Sequence, residues 1–219
     1  MNTILGKMYP PSETVNITNA MDYSKLEEIN ARKNKIRLVS GHMFFGVHKY
    51  VRPPYRYITM LRDPVERVIS FFYYQKRSET SYLHSVINER KMDLDDFLDS
   101  PISGECVNQQ TLLLAGIDGK APDEDCPDKL LEMAKENLRR EFSIGITEEF
   151  DLSLKLFQRN LGWPSIPGGK TENVGANKPK IIPESTIDKI EKMNQMDIKL
   201  YRLARELFYD RISELGISK

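Results

Sequence analysis

The chain has 219 residues, 40% of them hydrophobic, and its 32 Lys and Arg balance 32 Asp and Glu. That length suits one domain, 1–219, with a substantial core, and the neutral net charge argues against a general nucleic-acid binder. No run approaches the ~18 apolar residues of a membrane span, and the N-terminus lacks a basic-then-apolar signal pattern. Cys106 and Cys126 do not have metal-ligand spacing and read as free thiols. Asn16-Ile17-Thr18 is a glycosylation sequon, meaningful only in a secreted protein.

Residues 2–9 read as the end of a helix, stopped by Pro10-Pro11. A short strand at 14–17 and a polar helix over 22–33 follow, the helix capped by Asp22 or Ser24. Residues 35–39 form a strand that runs into Ser40-Gly41-His42, and 44–54 is a connecting loop with aromatic anchors. A buried strand is predicted at Tyr57, Ile58, Thr59, Met60 and Leu61. Asp63 is then a good N-cap, and Pro64 suits the first helical position, where its missing N–H costs nothing. Val65, Val68, Ile69 and Phe72 recur at helical spacing to about Arg77.

Residues 79–89 read as a mobile surface segment or a continuation of that helix, and 94–98 as a short helix capped by Asp93. A helix over 108–115 ends at Gly116, and an acidic loop over 118–126 follows. Then come an amphipathic helix over 127–141, a buried strand over 142–146, and a helix over 149–161 stopped by Gly162 and Pro164. Residues 165–183 are long, basic and poor in apolar residues, and 184–215 form one or two helices on the outside. Strands alternating with helices predict an α/β fold with a parallel sheet covered on both faces.

The chemistry centres on the carboxyl end of the strand at 57–61. Arg62 leaves that strand just before a helix N-terminus, where open α/β sheets bind ligands and where anions are favoured. A guanidinium fork suits phosphate or sulfate oxygens, and Ser70, two turns on, can add a hydroxyl donor. The plainer readings are a salt bridge from Arg62 to Glu66 or Asp63, and a small packing residue at Ser70. Asp63 and Glu66 are expected to point away from a phosphate, with Arg67 as partner of Glu66. Glu148 and Glu149 are expected to open the next helix. His42 follows a strand at the same predicted sheet edge; imidazole titrates near neutrality and suits a general base, although a structural histidine fits equally. His48 and His84 read as surface or packing residues. Phe71, Tyr73 and Tyr74 beside Ser70 read as core rather than as a platform for a base.

RDPVERVISFFYY resembles the 3′-phosphate-binding element of sulfotransferases that use 3′-phosphoadenosine 5′-phosphosulfate (PAPS). The resemblance is nearest to the branch of heparan sulfate 2-O-sulfotransferase and small bacterial sulfotransferase domains. SGHMFFG at 40–46, FSIGITEEF at 142–150 and KTENVGANKP at 170–179 agree in order and spacing, and the likeness runs over roughly residues 1–212. It implies a P-loop NTPase-like three-layer fold, a central parallel sheet flanked by helices. The family begins with a strand and a Lys-Thr-Gly/Ala-Gly-Thr loop that cradles the 5′-phosphosulfate. This sequence begins where the following helix should, so the first strand and loop are expected to be lacking and apolar sheet surface to be exposed. Gly6-Lys7 follows no predicted strand and lacks a second glycine, so it is not that loop.

By the same resemblance His42 is the catalytic base and Arg62 and Ser70 hold the 3′-phosphate. Lys170, Asn173 and Lys178 belong to a loop that closes over the donor nucleotide, with Thr171 and Asn177 in the same stretch; a solvated basic loop is the alternative. PAPS is the donor, no metal is needed, and the acceptor is a hydroxyl of a carbohydrate or small metabolite. A catalytically inactive remnant that binds a nucleotide or a protein partner is the alternative function. A nucleoside-triphosphate kinase or hydrolase is disfavoured, since no GxxxxGK[ST] loop exists. Eukaryotic relatives are Golgi membrane proteins with an N-terminal anchor; with none in this sequence, a cytoplasmic location is expected, or the Golgi membrane if an upstream anchor is missing from the chain.

Overall fold

A computed structural model describes residues 1–18, 22, 24–116, 127–164 and 181–218. In chain order these form α1 (Asn2–Met8), β1 (Thr14–Ile17), α2 (Ser24–Arg32), β2 (Leu38–Gly41), β3 (Tyr57–Leu61), α3 (Pro64–Arg77) and α4 (His84–Glu89). Then come α5 (Leu94–Leu98), α6 (Gln109–Ala115), α7 (Pro127–Glu141), β4 (Phe142–Ile146), α8 (Phe150–Leu161), α9 (Glu184–Met193) and α10 (Gln195–Glu214).

Local chemistry explains most boundaries. Asp63 accepts from the Glu66 amide at 3.0 Å and Pro64 is the first residue of α3. Asp93 and Asp96 form a reciprocal capping box at the start of α5. β2 begins at Leu38, not at Lys35, because the Lys35 and Ile36 amides turn back to the Arg32 carbonyl and close α2. Residues 79–89 are neither mobile surface nor an extension of α3: α4 is a separate helix, with Ile87 completely buried beneath it.

The strands pair in parallel, as their alternation with helices predicted, but not as one sheet. β1 pairs with β2, from Thr14 opposite Leu38 to Ile17 opposite Gly41. β3 pairs with β4, from Tyr57 opposite Phe142 to Leu61 opposite Ile146. Among the described residues these are two separate two-stranded sheets. The architecture is therefore mixed α/β with small parallel sheets and many helices. Among the described residues β2 and β3 share no ladder hydrogen bonds, so a single central sheet is not seen.

Three apolar clusters hold the elements. Leu61, Ile144 and Ile146 of the β3–β4 pair pack with Leu114, Leu138 and Phe208 from α6, α7 and α10. Val68, Ile69 and Phe72 on α3 pack against Phe97 of α5 and Ile190 of α9. Val15 and Ile17 pack on Ile29 of α2, with Val47 beyond β2. The last helix buries one face: Leu200, Ala204 and Phe208 are at most 1% exposed, while Arg202, Arg205 and Glu206 on its other face are exposed.

The junction of α6 with α10 is built from polar groups. Asn108, with φ at +49°, precedes α6. Its side-chain oxygen accepts from the Met196 and Asp197 amides at the start of α10. In return Asp197 reaches α6, accepting from the Gln110 amide at 3.1 Å and from the Thr111 amide and hydroxyl at 2.7 Å each. Each helix thus satisfies amides in the first turn of the other. Asn194 closes the exchange by accepting from the Asn108 amide at 2.8 Å.

Gly145, in the middle of β4, has no room for a side chain. A Cβ there would collide with Met60 Sδ and lie 2.7 Å from Phe157 Cζ. Gly145→Ala is expected to cost about 1–3 kcal/mol through overpacking, read as a lower denaturant midpoint with an unchanged slope. An unchanged midpoint would mean that Met60 and Phe157 give way to a methyl group at no cost.

Candidate functional site

Where β3 ends, the backbone passes out of its ladder, and side chains take over the pairing. The Arg62 amide donates to Gln110 Oε1 at 2.9 Å, and Gln110 Nε2 donates to the Arg62 carbonyl at 3.0 Å. The Asp63 amide donates to Glu148 Oε1 at 3.1 Å. Glu148 is itself held by the Tyr201 hydroxyl from α10 at 2.7 Å; burial, then this hydrogen bond to Glu148, push the Tyr201 phenol up. Glu148 therefore does not serve its own helix α8, as expected from its position, but crosses to the turn before α3. The Arg67 amide donates to the Asp63 carbonyl at 2.8 Å, the first turn of α3. The turn that carries Arg62 has its backbone polar groups occupied by neighbours, which is what a buried, fixed turn requires.

The Arg62 side chain is 31% exposed and its guanidinium lies 3.4 Å from Glu66, whose side chain is 46% exposed. Glu66 and Ser70 are four residues apart in α3 and so share a face. Arg62, Glu66 and Ser70 thus line up along one side of the helix start. The Ser70 hydroxyl has no hydrogen-bond partner among the described residues. Glu66 does not point away from Arg62, contrary to expectation, and Arg67 is not its partner. Instead Arg67 turns the other way and donates to the side chain of Gln109, while its second terminal nitrogen is buried with no partner among the described residues. Such a half-exposed pair as Arg62–Glu66 contributes about 0–1 kcal/mol, so an anion with more negative charge than a carboxylate can displace it.

His42 stands on the other sheet. Gly41 has φ +123°, and a Cβ there would collide with the Ile17 carbonyl, so only glycine fits. The His42 amide extends the ladder by donating to the Ile17 carbonyl at 2.8 Å. Its ring is exposed. The following loop carries Phe45 to the beginning of the other sheet, with ring centres 5.1 Å from Tyr57 and 5.6 Å from Phe142. Arg62 leaves β3 at the opposite end, five residue positions or about 16 Å beyond Tyr57. The structure therefore does not place His42 and Arg62 on one sheet edge, because the two strands that carry them are not in one sheet. His48 is a packing residue, with its ring stacked on Tyr55 and Nδ1 2.9 Å from the Tyr57 hydroxyl. Phe71 and Tyr73 pack on the α3 core, whereas Tyr74 is half exposed.

Lys170, Thr171, Asn173, Asn177 and Lys178, with Cys126, lie outside the described residues. Cys106 is a buried free thiol, and burial pushes it up to about 12. Gly6 and Lys7 lie within α1. The residues missed from sequence are Gln110, Asp197 and Glu148. Gln110 and Asp197 carried a weak signal, as buried polar side chains inside helix patterns that otherwise present apolar faces.

Beside the start of α3 runs a groove of about 330 Å³, lined by Asp63, Val65, Lys199, Arg202 and Arg205 among others.

No family model matches the chain. It is similar to heparan-sulfate 6-O-sulfotransferase 2 of Gallus gallus, 29% identical over 181 residues, which covers 71% of this chain and 44% of that protein. Heparan-sulfate 6-O-sulfotransferase 1-B of Danio rerio is 29% identical over 184 residues, with the same 71% and 44% covered. Heparan-sulfate 6-O-sulfotransferase 1 of Homo sapiens is 29% identical over 180 residues, again 71% and 44%. The chain thus spans less than half the length of these relatives. They support a PAPS sulfotransferase family, but their names carry 6-O and lend no support to the narrower 2-O branch. They also overturn the expected cytoplasmic location, since heparan-sulfate sulfotransferases are Golgi enzymes. Among the described residues no helix is long and apolar enough to cross a membrane.

Glu66 occupies the guanidinium that a phosphate would use. Glu66→Gln is expected to tighten binding of adenosine 3′,5′-bisphosphate about two- to fivefold, the loss of one weak competing ion pair. Calorimetric titration of both proteins reads this directly; weaker binding by the variant would make Glu66 a support of the site instead of a competitor.

Proposed function

We propose that this chain carries a sulfotransferase activity, moving a sulfuryl group from PAPS to a hydroxyl of a heparan-sulfate-like carbohydrate. The observation that carries this reading is the Arg62 turn: a guanidinium fixed at the end of β3, beside the start of α3, with the Ser70 hydroxyl on the same face. That arrangement fits a phosphate monoester, because the arginine fork offers parallel donors and the helix start adds positive potential. The sulfotransferase relatives support the same donor.

In this reading the acceptor oxygen attacks the sulfur of PAPS. The bond from sulfur to the 5′-phosphate oxygen breaks, and adenosine 3′,5′-bisphosphate leaves. Arg62 and Ser70 hold the 3′-phosphate and so set where the sulfur sits. His42 takes the acceptor's proton as the new S–O bond forms. Lys170, Asn173 and Lys178 bind the donor in this reading. Positioning and charge stabilisation supply most of the rate in transfers of this kind. Lys199, Arg202 and Arg205 beside the start of α3 supply counter-charge to a polyanionic acceptor. The 2-O branch and the P-loop-like three-layer fold have less support than the sulfotransferase reading itself. An inactive nucleotide- or partner-binding remnant is not favoured, since the relatives are named as enzymes.

The division of roles separates two substitutions. Arg62→Ala is expected to abolish measurable binding of adenosine 3′,5′-bisphosphate, the loss of a charge-assisted pair of roughly 1.5–3 kcal/mol or more. His42→Ala is expected to leave that binding intact and to remove transfer of labelled sulfate from PAPS to desulfated heparan sulfate. Equal effects of both on binding would overturn the assignment, and an active His42→Ala protein would remove His42 from the chemistry.

A further inference from the structure

We propose that Gln110 is a positioning residue: its side-chain amide fixes the Arg62 peptide and so aims the guanidinium. This inference rests on the reading of Arg62 as the 3′-phosphate ligand.

The β3–β4 ladder ends with Leu61 opposite Ile146. Arg62 is the first residue beyond that register, so its N–H and C=O have lost their strand partner. Gln110 replaces it. A primary amide presents one acceptor and one donor side by side, as a neighbouring peptide does, and here both are used, at 2.9 Å and 3.0 Å. A carboxylate has no donor for the carbonyl, and a hydroxyl at this position is too short to span both groups. Gln110 is 7% exposed, so no water substitutes freely.

Gln110 is held in turn. Its own amide donates to buried Asp197, which Thr111 also grips through its amide and hydroxyl. Gln109 accepts from Arg67 and keeps this second arginine away from the first. Asn108 ties the same segment to the start of α10. Each of the four consecutive residues 108–111 has its own task, and those of Asn108 and Thr111 brace Gln110. A rotation of the Arg62 peptide is multiplied along a long side chain, so small backbone freedom becomes ångström-scale error at the guanidinium. Sites of this kind lose affinity and rate when the supporting groups are loosened.

The test reads the 3′-phosphate contribution alone. The wild type, Gln110→Met and Arg62→Ala are titrated with adenosine 3′,5′-bisphosphate and with adenosine 5′-monophosphate, which lacks the 3′-phosphate. Methionine keeps the length and volume of the side chain and removes both hydrogen bonds. Gln110→Met is expected to weaken the bisphosphate about tenfold, or 1.4 kcal/mol, and to leave the monophosphate unchanged, so that the preference for the bisphosphate falls by the same factor. If Gln110→Met does not fold, Gln110→Glu, which keeps the acceptor for the Arg62 amide, is read in the same way with the same selective loss expected. An unchanged ratio, or equal weakening of both nucleotides, gives Gln110 a structural role only and overturns the proposal. A wild type that does not distinguish the two nucleotides overturns the phosphate reading of Arg62, and this inference with it.

Discussion

The interaction on which the rest depends is the buried Asp197 carboxylate at the start of α6. It is 1% exposed and lies against two helix amides and a threonine hydroxyl. Burial pushes its carboxyl above the usual carboxylate range, against the pull of the Thr111 donors and of Arg67. A carboxyl in such a place is tolerable only because donors surround it and because a helix start favours negative charge. Taking such donors away leaves a group that has lost water and gained nothing, which is costlier than never having buried it. α6 and α10 are thus locked in one relative placement, and through α6 so is the end of β3.

From this lock follows the character of the Arg62 turn. Its backbone groups are met by Gln110 and Glu148, from two different parts of the chain. The guanidinium, in contrast, is partly exposed and lies 3.4 Å from Glu66. A fixed backbone with an available charged end is the arrangement that recognition of an anion needs, since little ordering remains to be done on binding. The cations of α10 that line the adjoining groove extend the positive character away from the turn. A phosphate at Arg62 and a polyanion along α10 are compatible with one surface.

The split sheet has a different consequence. His42 is presented by the β1–β2 pair through a glycine that only the ladder geometry makes necessary, while Arg62 is presented by the β3–β4 pair. The loop between them is anchored by Phe45 against Tyr57 and Phe142, and by its amide on the Leu113 carbonyl. His48 adds to this anchorage, its amide donating to the Tyr57 hydroxyl at 2.9 Å. The placement of the histidine relative to the arginine therefore depends on ring contacts and loop hydrogen bonds, and not on a shared ladder.

Much of this protein was legible from residue order alone. The strand at 57–61, the cap at Asp63 with Pro64, the cap at Asp93, and the strands at 14–17 and 142–146 all follow from rules that act within one or two turns. The glycine before His42 and the arginine after β3 stood out for the same reason. What the order of residues did not reveal is which distant groups meet. Gln110 reaches back 48 residues to Arg62, Glu148 reaches 85 to Asp63, and Asp197 reaches 86 to Thr111. The separate helix α4 did not stand out from α3 in the sequence, because burial is decided by what packs on a helix, and neither periodicity nor charge names the partner. The sequence by itself determined the local elements and the candidate anion-binding arginine, since propensity and capping are short-range. Only the tertiary structure decided that the strands form two sheets, that Glu66 lies on Arg62, and that Gln110 completes the broken ladder, since those contacts exist only when segments far apart in the chain are brought together.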